Sequence, residues 1–94
     1  MQAIWSSTAV AQLAEIRTFI EQDKPEAALA VARCIVAAAD RLATSPRMGR
    51  SGRFPETREL VMAGMPYILH DQSKQDRLSI LAVFHAARDW PADR

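Results

Sequence analysis

The chain has 94 residues, about half of them apolar, and a formal net charge of +1. That length fits one domain, 1–94, with no room for a second, and a charge so near zero excludes a strong global field. The single cysteine, Cys34, excludes an intrachain disulfide and fits a reducing compartment. No apolar run approaches the roughly 18 residues of a membrane span. The opening MQAIWSS lacks the charged and apolar regions of a signal peptide. A cytoplasmic protein without membrane attachment is therefore expected.

Residues 2–5 are short and apolar-leaning, and predict a first strand that stops at Ser6-Ser7. Either serine can cap a following helix by accepting a free backbone N–H. Ala9, Leu13, Ile16 and Ile20 then recur at helical spacing with Phe19 beside them, which predicts an amphipathic helix over 8–22. The run Asp23-Lys24-Pro25-Glu26 breaks the chain and restarts it. Pro suits a first helical turn, and Asp23 with Glu26 resembles a capping box. A second helix is predicted over 25–43, with Ala28, Val31, Ala32, Ile35, Ala38, Ala39 and Leu42 on one broad apolar face. Cys34 reads as one more small buried hydrophobe. So short a connection makes the two helices an antiparallel hairpin.

Thr44-Ser45-Pro46 ends the second helix, because a residue before Pro avoids the helical region. Residues 47–55 hold Gly49 and Gly52 and read as irregular. They also open a local basic patch: residues 47–58 contain Arg47, Arg50, Arg53 and Arg58 against only Glu56. Local patches of this kind bind anions or acidic partners.

From residue 56 the texture turns to alternation and β-branching. Strands are predicted over 58–62, 67–71 and 77–85, with turns at 63–66 and 72–76. The last run, Leu78 to His85, is apolar on both faces and belongs inside a sheet. It delivers His85, Arg88 and Trp90 towards a sheet edge. The fold class is α+β: an N-terminal strand, an antiparallel helical hairpin, then a three-stranded antiparallel meander, with the hairpin on one sheet face. Leu13, Ile16, Ile20, Ile35, Leu42, Leu69, Ile80 and Phe84 are expected between the two layers. Tyr67 is expected in the core, and His70 on the surface because it alternates with Leu69. Lys74 and Arg77 read as solvated flanks of a turn.

Several segments in this order resemble the RelE/ParE superfamily of toxins from type II toxin–antitoxin modules. They are IWS at Ile4 to Ser6, the pattern formed by Leu42, Pro46, Gly49, Arg50 and Gly52, TRELV at Thr57 to Val61, PYIL at Pro66 to Leu69, and the closing ILAVFHAARDWP. The resemblance implies a compact toxin neutralised by a cognate antitoxin, whose extended C-terminal segment wraps around it in a hetero-oligomer. It also implies one of two targets. RelE-like members cleave mRNA on the ribosome, whereas ParE-like members inhibit DNA gyrase without being nucleases. Fold alone does not choose between them.

Cleavage of RNA through its 2′-OH needs a base, an acid and cations around the phosphate. His85 and Arg58 are the candidate catalytic residues if the chain is an interferase. Arg47, Arg50, Arg53, Arg58, Arg88 and Trp90 are the candidates for binding antitoxin or target. His70 and His85 have no ligand-spaced Cys or carboxylate neighbours, so no metal and no cofactor are expected. The near-neutral charge counts against a ribosomal A-site binder, because phosphate neutralisation dominates such affinities. Only Lys24 and Lys74 are present, so the lysine cluster of the RNA-cleaving branch is missing. The reading therefore leans to a gyrase inhibitor, with the mRNA interferase as alternative and a non-toxic regulatory binding module as a third class.

Overall fold

A computed structural model describes residues 2–52 and 54–86. Its elements run β1 (Ala3–Trp5), α1 (Ser7–Glu21), α2 (Pro25–Thr44), β2 (Arg50–Ser51), β3 (Thr57–Val61), β4 (Tyr67–Lys74) and β5 (Arg77–His85). The strands form one sheet in the order β1-β5-β4-β3-β2. β1 lies parallel to β5, and every other pair is antiparallel. The expected α+β architecture is present. β5 lies between β1 and β4, where a strand apolar on both faces belongs.

Ser6 fixes the entry to α1. Its hydroxyl accepts the Ala9 N–H at 3.0 Å and donates to the Leu81 carbonyl at 3.0 Å. One side chain thus caps the helix and ties it to β5. The capping box expected at the second helix does not form. Lys24 occupies the cap position without a side-chain bond, and Pro25 supplies the first-turn residue instead. Asp23 and Lys24 turn their N–H groups back onto the Ile20 carbonyl, closing the hairpin loop.

The core lies between the hairpin and one face of the sheet. Ala9, Ile35, Ala38, Ala39 and Leu42 meet Tyr67, Leu69, Leu78, Ile80 and Val83 there, and Leu13, Ile16 and Ile20 pack against them. Phe84 was expected in this layer and is instead buried on the opposite face. The register explains it: His70 pairs with Ala82 but Asp71 pairs with Ile80, so Leu81 is an extra residue in β5. A bulge of this kind flips the alternation, and Val83 replaces Phe84 on the helix side. Cys34 is exposed rather than buried, because it falls beside the stripe that carries Ile35 and Ala38.

Two loops are tighter than their composition implies. β4 continues three residues past Asp71, and only Gln75 and Asp76 form the turn, both with positive φ. Two left-handed residues between antiparallel strands match the twist of a short hairpin. Residues 47–55 are not wholly irregular: Arg50 and Ser51 pair with Glu59 and Arg58. Gly49 permits this approach, since a Cβ there would sit 2.9 Å from the Glu59 carbonyl oxygen.

Candidate functional site: a basic groove at the end of the helical layer

α2 stops at Thr44, but the sheet continues beyond it. The space left is an open groove of about 790 Å³ between residues 46–58 and the end of β4. Arg47, Arg58 and Lys74 line it, with Glu56 the one carboxylate among the described lining residues. Ser51 and Ser73 add hydroxyls, and Pro46, Pro55 and Phe54 shape its wall.

Each cation arrives by a different route. Arg47 follows the helix-ending proline. Arg58 sits in β3 and is held by a 3.2 Å bond from its guanidinium to the Gly49 carbonyl. Lys74 comes from the unexpectedly long β4 and approaches Glu56 at 3.9 Å, both side chains being largely exposed. An exposed pair at that distance contributes little, so the groove keeps its cationic character.

Beneath the groove lies Asp71. It faces Arg58 across β3–β4 and Ile80 across β4–β5. It is fully enclosed, and neither carboxylate oxygen has a hydrogen-bond partner among the described residues. Burial, opposed by the charge of Arg58, lifts its carboxyl from 3.8 to about 6.

The structure brings together only part of the predicted site. Arg47 and Arg58 share the groove. Arg50 lies on the other sheet face, where it reaches the buried Glu59 carboxylate at 3.4 Å. Arg53, Arg88 and Trp90 lie outside the described residues. His85 stands at the far end of β5, with its ring edge-on to Tyr67 at 5.6 Å. Tyr67 and Asp71 are four residues apart on β4, and Arg58 lies one strand further across. That puts the backbones of His85 and Arg58 more than ~13 Å apart. His70 is buried, not a surface residue, with Phe54 and Phe84 rings at 5.8 and 5.9 Å.

Sequence reading pairs Arg58 with Asp71 or Glu59, but misses the burial of Asp71 and the place of Lys74 in the groove. Lys74 followed a polar stretch that looked like a turn. Asp71 shares the Tyr67–Leu69 alternation, and that spacing was the available signal for an inward carboxylate.

The family model for the ParE toxin of type II toxin–antitoxin systems matches residues 3–90. The chain belongs to that family. Y4kP of Sinorhizobium fredii is 45% identical over 87 residues, covering 93% of this chain and 90% of that protein. Toxin RelE2 of Caulobacter vibrioides is 37% identical over 87 residues, covering 93% and 97%. A chain of the chromosomal ParDE toxin–antitoxin system of P. aeruginosa superposes with a TM-score of 0.82 at 25% identity, covering 90% of this chain and 95% of that one. The protein is thus the toxin of a type II module. Among the described residues, no helix is long and apolar enough to cross a membrane.

Proposed function

We propose that this ParE-family toxin acts without chemistry, by binding and inhibiting DNA gyrase in the cytoplasm. A cognate antitoxin neutralises it by placing acidic side chains against the Arg47–Arg58 groove. One observation carries the gyrase reading: the backbones that carry His85 and Arg58, the two residues nuclease chemistry would use, stand more than ~13 Å apart in the sheet. A base and a cation acting on one phosphate must both lie within hydrogen-bond reach of it. A binding surface has no such requirement. The family match and the ParDE structural neighbour support the same reading.

The relative named RelE2 keeps the ribosome-dependent interferase as the alternative. Induction of the toxin, with gyrase supercoiling assayed beside mapping of mRNA ends, separates the two. The expected result is lost supercoiling with intact mRNA. Cuts within codons of translated mRNA would move the protein to the interferase branch.

A further inference from the structure

Buried carboxylates without hydrogen bonds are rare in native proteins, because each leaves a desolvated charge uncompensated. Among the described residues Asp71 is such a group, and it lies across from Arg58, the groove arginine that β3 carries. Its oxygens meet no donor among the described residues, while Arg58 gives one N–H to Gly49 and lines the groove. Arg58 has five donors in a planar fork, which suits a two-oxygen anion.

We propose that Asp71 is a positioning residue that sets the affinity of the groove for oxyanions through Arg58. Ionised, Asp71 is a buried counter-charge that offsets the guanidinium and weakens its hold on a second anion. Protonated, it releases that charge to the ligand. The groove therefore binds oxyanions more tightly in mild acid. The inference rests on reading the groove as the docking place for acidic side chains of the partner, and it adds a pH control to that reading.

The surroundings leave few competing titrations. Arg47, Glu56 and Lys74 share the groove, and of these only Glu56 is a carboxylate. β5 brings Ile80 against Asp71, without charge. His70, the next residue on β4, points to the opposite sheet face between Phe54 and Phe84. Because Phe54 also lines the groove, the Asp71→Asn variant is what separates a titration of Asp71 from one of His70.

Sulfate is the appropriate probe, because its charge does not change across the window. The full chain is titrated with sulfate at pH 5.5 and 7.5 at fixed ionic strength, following the arginine side-chain N–H signals by NMR. The wild type should bind several-fold more tightly at the lower pH. Asp71→Asn should bind tightly at both, and Arg58→Gln should bind weakly at both. By reciprocity, saturating sulfate should also raise the midpoint of the Asp71 carboxyl titration in the wild type. That measurement needs no variant, so misfolding of Asp71→Asn does not rescue the proposal. Three results would overturn it: no sulfate binding at either pH, an unchanged Asp71 midpoint, or a wild-type pH profile surviving in Asp71→Asn. Antitoxin docking in the groove is read separately, from antitoxin binding by the Arg47→Ala/Arg58→Ala variant without sulfate, so failure of that reading and failure here are distinguishable.

Discussion

Gln12 accepts the Val83 backbone N–H on its side-chain oxygen at 2.8 Å, joining α1 to β5 just past the bulge. β1 ends at Trp5, opposite Ile80, so among the described residues β5 has no strand neighbour on that side from Leu81 onward. Two α1-region side chains take over the pairing: Ser6 bonds Leu81 and Gln12 bonds Val83. Gln12→Leu removes the acceptor and leaves a buried N–H unpaired, which should cost about 1–3 kcal/mol. Gln12→Glu keeps an acceptor and should cost less. Thermal melts, with amide exchange at Val83, read both.

The Asp71 carboxyl also predicts how stability depends on pH. Its folded value, about 6, lies above the ordinary 3.8, so the folded state holds this proton more tightly than the unfolded chain does. The contribution of this group is most favourable below about 3.8 and declines as pH rises through about 6. The two values differ by about two pH units, or roughly 3 kcal/mol, as an upper bound. Asp71→Asn should therefore be more stable than the wild type at pH 7 by up to that amount, and the advantage should shrink towards pH 4. Denaturant melts across pH 4–8 give the difference directly. An advantage that grows in acid would contradict the sign.

Most of the fold was legible because hydrophobic period and turn chemistry agree along most of the chain. Ala9, Ile35, Leu42, Leu69 and Ile80 fall inside at the expected spacing. The errors in the sheet have one physical source, which is pairing between distant segments. Leu81 reads as one more apolar strand residue; only its partners reveal the bulge that moves Phe84 outward. His70 was read as solvent-facing because its alternation was correct, and alternation does not say whether Phe54 will cover that face. The arginine patch reads as one unit in sequence, yet β2 pairing sends Arg50 and Ser51 to opposite faces.

Ile35 tests the layer arrangement. It is fully buried in the middle of α2, whereas Val36 beside it is exposed. Ile35→Ala should cost about 2–5 kcal/mol from lost burial and the residual cavity. Val36→Ala should stay within about 0.5 kcal/mol. Equal melting temperatures for the two variants would show that the helical face is misassigned.

The glycines of the loop are testable at one position. A Cβ on Gly52 would run into the Thr57 hydroxyl and lie 3.0 Å from the Thr57 carbonyl oxygen. Gly52→Ala should therefore push the loop from β3 and break the Gly52–Thr57 backbone bond, which is 2.8 Å long. Because that loop forms one wall of the groove, partner binding should weaken more than global stability falls. Calorimetric binding beside a melt separates the two effects.

The arginines separate binding from folding, and His85 separates binding from chemistry. Arg47 and Arg58 line the groove, so the double variant Arg47→Ala/Arg58→Ala should weaken antitoxin binding. If they act as interface anchors, the loss should reach ~2 kcal/mol, roughly 30-fold in Kd. Arg50 contacts the enclosed Glu59 on the other face, so Arg50→Ala should cost stability and leave binding nearly unchanged. His85 packs edge-on against Tyr67 far from this groove, and His85→Gln keeps a polar side chain of similar reach. It should fold normally and reduce toxicity only partly, because a binding surface loses one contact rather than a proton-transfer group. A general base removed from a nuclease would instead lower the rate by about 10²–10⁴-fold. Growth arrest measured with His85→Gln at equal expression therefore discriminates: partial arrest supports the binding mechanism, and complete loss of arrest with a folded protein contradicts it.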